Sequence, residues 1–208
     1  MARRLYTAGL LALVLWMTAG CQNEQTMSGS GRMRPRNQKK IGLLTDLDKK
    51  YDNPEAHYNL GRLYYLDGMY DRARFHYDVA LKFNPVHYRA MAGMVKTLRQ
   101  EGKTLEAKEK SRAYIAQASE SVQRLVRLGD AFMKHELPEL AIDCYQQVLR
   151  MEPESAVAYK KIGMYHLEKD QKVKAEEYLR RSFEIDPYQA DVAGELGKMG
   201  IVVEIPRT

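Results

Sequence analysis

Two cysteines and five histidines are the residues of this 208-residue chain best suited to covalent or metal chemistry. Cys21 and Cys144 are too few for a disulfide framework. His57 and His166 fall on apolar-periodic positions, and His76, His87 and His135 have no second His or Cys at ligand spacing, so no metal site is expected. Asp46, Asp48 and Asp52 open like a calcium loop, but Lys50 takes the third ligand position and no Gly follows at the sixth. No phosphate-cradling Gly loop, G-x-S-x-G elbow or H-E-x-x-H occurs. Cys144 sits beside Tyr145 with only Asp143 as a neighbouring base, and reads as a buried packing thiol. Glu176 and Glu177 stand near Arg180 and Arg181 at the spacing of exposed helical ion pairs. No catalytic residue, cofactor or small-molecule substrate is therefore expected, and the chain does not read as an enzyme.

Cys21 stands in a different context. Arg3 and Arg4 precede the apolar run GLLALVLWMTAG, and Thr18, Ala19 and Gly20 lead directly into Cys21. A basic start, a short apolar middle and a small-residue junction are the parts of an export signal, and the run is too short to span a bilayer comfortably, which takes about 20 residues. The junction resembles the lipobox of bacterial lipoproteins, with Thr18 where that family usually has Leu. The resemblance implies that residues 1–20 are removed and that Cys21 is acylated, its lipid (palmitate among the chains) anchoring the protein to a membrane. Gln22, where an Asp usually retains such proteins at the inner membrane, implies a periplasm-facing place on the outer membrane of a bacterial cell envelope.

The net charge of +6 would suit a nucleic-acid binder only if it lay on the folded part. It does not. Residues 41–208 carry 26 Lys plus Arg against 26 Asp plus Glu, a net of zero, while Arg3, Arg4, Arg32, Arg34, Arg36, Lys39 and Lys40 against Glu24 supply the excess. No nucleic-acid partner is expected. Residues 21–40, polar and rich in Gly and Ser at their centre, read as a flexible basic tether with a root-mean-square reach of about 25 Å, its cations free to meet anionic head groups. Residues 41–53, with Ile41, Leu44 and Leu47 at helical spacing, read as an N-terminal helix or cap.

The remainder repeats every 34 residues. Windows begin at Pro54, Tyr88, Val122 and Ala156 without insertion, giving repeats 54–87, 88–121, 122–155 and 156–189. The slots holding His57, Leu60, Gly61, Tyr64, Ala73, Tyr77, Ala80 and Pro85 hold Leu125, Leu128, Gly129, Phe132, Ala141, Tyr145, Val148 and Pro153 in the third window. In the fourth they hold Tyr159, Ile162, Gly163, His166, Ala175, Leu179, Ser182 and Pro187. The second window keeps the apolar phase at Met91, Met94 and Leu98 and the small Ala107, but has Val95, Ser111 and Ser119 in place of Gly, the aromatic and Pro. Leu60 and Tyr64 share one helix face, Ala73 and Tyr77 the face of a partner helix, and the small residues let the two approach closely. Leu196 and Gly197 repeat the signature once more, so residues 190–199 read as a lone capping helix ahead of an extended tail to 208.

This pattern resembles the tetratricopeptide repeat. The resemblance implies an all-α fold: a right-handed solenoid of four helix-turn-helix repeats plus a C-terminal capping helix. It also implies that slots 2, 5, 9, 12 and 13 of each first helix line a concave groove. Those slots hold Glu55, Tyr58, Arg62, Tyr65 and Leu66; Arg89, Ala92, Lys96, Arg99 and Gln100; Gln123, Val126, Asp130, Met133 and Lys134; and Val157, Lys160, Met164, Leu167 and Glu168. Tyr58, Arg62, Tyr65, Arg89, Lys96 and Arg99 would form a basic, aromatic anchoring end, and Met133, Lys134, Lys160 and Met164 a methionine-bearing end, suited to a protein or peptide segment. The expected function is a membrane-anchored adaptor assisting assembly of a cell-envelope complex, with an envelope protein as partner. Lipoproteins of this kind resemble both pilotin-like factors of type IV pilus and secretin biogenesis and regulators of cell-wall enzymes.

The anchor is checked by the intact mass of the membrane-extracted protein, which should lack residues 1–20 and carry acyl chains. Cys21→Ser should lose both the acyl mass and membrane retention; a Cys21→Ser form still membrane-bound and unshifted in mass contradicts the reading.

Overall fold

Helices begin where the repeat places them. The computed structural model describes residues 35–204, and Cys21 with the export segment lies outside them. The described residues form ten helices and no strand: α1 (Pro35–Lys49), α2 (Pro54–Leu66), α3 (Tyr70–Phe83), α4 (Tyr88–Gln100), α5 (Thr104–Ala118), α6 (Val122–Lys134), α7 (Pro138–Met151), α8 (Ala156–Glu168), α9 (Lys172–Ile185) and α10 (Ala190–Lys198). The first helices α2, α4, α6, α8 and α10 start 34 residues apart, and so do the second helices α3, α5, α7 and α9. Each first helix packs on its second helix, and each second helix on the next first helix. No helix among the described residues is long and apolar enough to cross a membrane.

Local chemistry starts and stops these helices. Asn53 Oδ1 accepts from the amides of Glu55 and Ala56 while Pro54 opens α2, and Ser121 Oγ accepts from the Arg124 amide at the start of α6. The turn inside each pair passes through a left-handed residue at one fixed slot: Gly68, Gly102, Glu136 and Asp170, with φ of 73°, 77°, 59° and 54°. Gly adopts this conformation freely, whereas Glu136 and Asp170 hold it against the steric preference of an L side chain.

The repeat is held together by a ring pressed onto a glycine. A Cβ added to Gly61 would stand 2.8 Å from the Tyr77 ring, one on Gly129 2.5 Å from the Tyr145 ring, and one on Gly163 2.8 Å from Leu179. Tyr77 reaches the next repeat in the same way, with 2.6 Å to a Cβ at Gly93. The second repeat reverses the pair: Val95 stands in the glycine slot and Ser111 in the ring slot, and both are buried. A window that loses the motif thus still keeps both positions inside the core. Leu60, Leu98, Leu125, Leu128, Phe132 and Ile162 extend one apolar core along the stack, and Leu179, Phe183, Val192 and Leu196 continue it under the last helix.

The N-terminal end differs from the sequence expectation. The stretch read as tether to residue 40 is already helical from Pro35, and the helix expected over 41–53 ends at Lys49. Leu43 and Leu47 of this helix pack on the core, and ion pairs hold its first turns. Arg36 and Lys40, four apart on one face, pair with the Asp67 carboxylate at 2.7 and 2.5 Å, and Arg36 also donates to the Leu66 carbonyl at the end of α2. These two contacts hold the Asp67 carboxyl below the usual carboxylate range. At the other end the capping helix is Ala190–Lys198, and Ile201 and Val203 of the following extended segment pack against its apolar cluster.

The first repeat also holds a histidine pair, His57 buried and His76 half-buried. His57 Nε2–H donates to the Tyr51 carbonyl at 2.9 Å, which leaves its Nδ1 to accept from His76 Nδ1–H at 3.1 Å. The His76 ring stacks on Tyr64 at 5.3 Å. Burial, aided by the charges of His57 and Arg72, lowers the His76 pKa to about 4.

Adding a methyl separates packed from open glycines. Gly129→Ala should lose about 1–3 kcal/mol of stability by forcing the Tyr145 ring aside, whereas Gly194→Ala on α10, where an added Cβ meets nothing within 4 Å, should be neutral or gain up to about 1 kcal/mol of helix propensity; thermal melts of the two variants check this. Because the folded pKa of His76 lies below the unfolded value of about 6.5, its neutral form contributes stability that is complete above pH 6.5 and lost as pH falls toward 4. Melting midpoints across that window should fall, and fall less in His76→Gln.

Candidate functional site

Helices α2, α4, α6 and α8 carry the residues expected to line a groove, and most of their charges are already paired. Arg89 Nη2 lies 2.8 and 2.7 Å from the two Glu55 oxygens, across the first and second repeats, and His87 Nε2–H donates to the same carboxylate at 3.2 Å. Lys96 pairs with Glu136 at 2.5 Å and Arg99 with Glu139 at 3.6 Å, both acids lying around the turn from α6 into α7. Lys160 meets Asp191 of α10 at 2.5 Å. Lys161 meets Asp130 at 2.8 Å, and Asp130 also accepts from the Tyr145 hydroxyl at 2.7 Å, so one carboxylate ties α6, α7 and α8.

These pairs alter the expected anchoring end. Tyr58 is 4% exposed and belongs to the core instead of the groove surface. Its hydroxyl lies 3.3 Å from His135 Nε2, and the Arg89 guanidinium covers its ring at 4.8 Å. Burial raises its pKa, with Arg89 opposing. Tyr65 is half-buried under the Lys96 ammonium, 5.5 Å from its ring. Arg62 is exposed and has no carboxylate partner among the described residues. It lines a smaller cleft against α1. The six residues therefore do not form an open basic patch: one is buried, and three are cations neutralised by acids of this chain.

The slots missed His135, Glu136 and Glu139 because these follow the first helix of the third repeat. His135 is half-buried near Lys96, Lys134, Arg62 and Arg89, and desolvation with those charges pushes its pKa down to about 4, so it stays neutral at pH 7. The Lys96 ammonium lowers the Glu136 pKa. The one sequence signal was Glu136 itself, an acidic residue in the slot where the first two repeats have Gly68 and Gly102.

The methionine-bearing end is open. Met133 and Lys134 of α6 and Met164, Tyr165 and Glu168 of α8 line a cleft of about 560 Å³, closed at one side by the Lys160–Asp191 and Lys161–Asp130 pairs. Met133 and Met164 are half-buried and both line the cleft. A second cleft of about 400 Å³ between α2, α4 and α6 is lined by Arg89, Arg127, Asp130 and Lys134. Asp130 and Lys134 border both, so the two form one trough. Among the described residues Arg127 and Lys134 are cations without a carboxylate partner.

No group of three or more His, Cys, Asp or Glu residues suited to a metal ion occurs among the described residues. Cys144 is fully buried, and desolvation with Asp143 pushes its pKa up to about 12, so the thiol is protonated at neutral pH.

Residues 54–85 and residues 126–190 each match a family model described as tetratricopeptide repeat. No curated protein matches the chain. Among solved structures, MamA 41-end from Desulfovibrio magneticus RS-1 is 23% identical over 74% of this chain and 88% of that one, with a TM-score of 0.40. YrrB, described as a TPR protein with an unusual peptide-binding site, is 18% identical over 78% of this chain and 84% of that one, with a TM-score of 0.41. At those scores the superpositions add nothing to the assignment, which rests on the period, the helix pairs and the matched segments. The folded part of this chain is a solenoid of tetratricopeptide repeats.

Proposed function

We propose that this protein is a membrane-anchored adaptor that helps assemble a cell-envelope complex, holding a segment of another envelope protein in the trough of its third and fourth repeats. Tetratricopeptide repeats are typically protein-interaction modules, and the observation that carries the site is the open cleft over Met133 and Met164. Methionine side chains adapt to irregular apolar partners. Lys134, unpaired at the junction of the two clefts, supplies a fixed charge that orients the segment. The anchor is the acylated Cys21, which the lipobox resemblance supports. It faces the periplasm, from the outer membrane. The adaptor performs no chemistry of its own.

A photo-crosslinking side chain in place of Met164 should form an adduct with one envelope protein in intact cells, and one at the exposed Lys172 should not. Lys134→Glu should lower that adduct about tenfold, equivalent to about 1.4 kcal/mol, without moving the melting midpoint. Equal adduct yields at 164 and 172 contradict the site.

A further inference from the structure

The two junctions among the first three repeats use the same slots and are finished differently. At the first, Arg74 of α3 lies 2.8 Å from the half-buried Glu101 carboxylate at the end of α4, and the Tyr77 ring lies against both Gly61 and Gly93. One repeat further on, Lys108 stands in the slot of Arg74, Ser111 in that of Tyr77 and His135 in that of Glu101. His135 lies against the Tyr58 hydroxyl at 3.3 Å, and the Ser111 hydroxyl donates back to the Lys108 carbonyl at 3.0 Å. Neither repeats the contact that its counterpart makes.

A cleft of about 640 Å³ opens at this second junction, between α5 and α7. Its apolar lining is Ile115 of α5, half-buried, and Leu140 of α7, buried, and it reaches the buried Ser111. Lys108 and Arg112 line it from α5, one turn apart, exposed and without a carboxylate partner among the described residues. From α7 come Glu139, which meets Arg99 at 3.6 Å, and Asp143, which has no cation partner among the described residues. With Arg99 and Glu139 set against each other, two positive charges and one negative charge remain, a net of +1. None of these residues lines the trough of the third and fourth repeats.

We propose that the cleft between α5 and α7 takes a segment of a partner protein that brings the two groups this junction lacks: a carboxylate for Lys108 and Arg112, and a large apolar side chain against Ile115 and Leu140. The chemistry of the occupant is read from the first junction, where the chain supplies both groups itself, as Glu101 and Tyr77. Protein side chains close that junction, so a protein segment is the matching occupant of this one. Charge agrees, because a single carboxylate balances the net +1 of the cleft. Asp143, on the opposite helix, sets the direction of the segment by accepting from a donor of the same segment. The cleft shares no lining residue with the trough, so both can be filled at once, and the chain then joins two segments instead of holding one. The site stands whether or not the reading of the trough holds.

The test uses the full chain in its membrane, with a benzophenone side chain in place of Thr104, which is exposed and lines the cleft. It should form an adduct with a different protein, through a peptide that contains an acidic residue. The same side chain at Lys110, exposed and outside the lining, should give at least tenfold less. Lys108→Glu combined with Arg112→Glu should cut the adduct at position 104 at least tenfold without moving the melting midpoint, whereas Lys134→Glu in the trough should leave it unchanged. Val95→Gly combined with Ser111→Tyr rebuilds the glycine and ring of the first repeat inside the second, and should keep the melting midpoint while abolishing the adduct. No adduct at position 104, an undiminished adduct in either double variant, a crosslinked peptide without an acid, a loss on Lys134→Glu, or adducts only with lipid or a second copy of this chain would each overturn the proposal.

Discussion

One close approach governs this molecule: a ring or leucine of the second helix lying directly on a glycine of the first. The two backbones come near enough that no β-carbon fits between them at Gly61, Gly129 or Gly163. Tyr77 is shared, covering Gly61 in its own repeat and Gly93 in the next, so the same contact that closes a repeat also sets its angle to its neighbour. The second repeat fills the same two slots with Val95 and Ser111, both buried, so the positions stay in the core although the residue types change.

Electrostatics works within the frame that packing fixes. The groove cations cannot all act on a partner because the solenoid brings acids to meet them, from the preceding repeat at Glu55, from the turn at Glu136 and Glu139, and from α10 at Asp191. These are half-exposed pairs, individually worth little in stability. Their consequence lies in what they leave over. Charge and apolar surface remain available together at one place, around Lys134 and the two methionines.

The repeats were legible to the residue: Pro54, Tyr88, Val122 and Ala156, read from spacing, are the first residues of α2, α4, α6 and α8. Glycine, a large apolar residue and proline recur because backbone approach and chain reversal admit few substitutes. What could not be read depends on contacts between residues far apart in sequence. α1 lacks a clear apolar stripe at its start, and Arg36 and Lys40 are ordered by Asp67, some thirty positions away. Tyr58 occupies a groove slot by phase but is buried because His135 lies over it from 77 positions on. The His57–His76 contact likewise joins two helices whose histidines show no ligand spacing.

The uninterrupted 34-residue register has a further effect, on the order in which the chain can fold. The contact that defines each unit joins residues only sixteen apart, Gly61 to Tyr77 and Gly129 to Tyr145, and the link to the next unit joins Tyr77 to Gly93, again sixteen apart. Loop closure over such a span carries a small entropic penalty. A chain emerging N-terminus first can therefore bury each aromatic as soon as its own repeat has appeared. Every newly formed face is then a template for the next repeat, which is the segment that emerges directly after it.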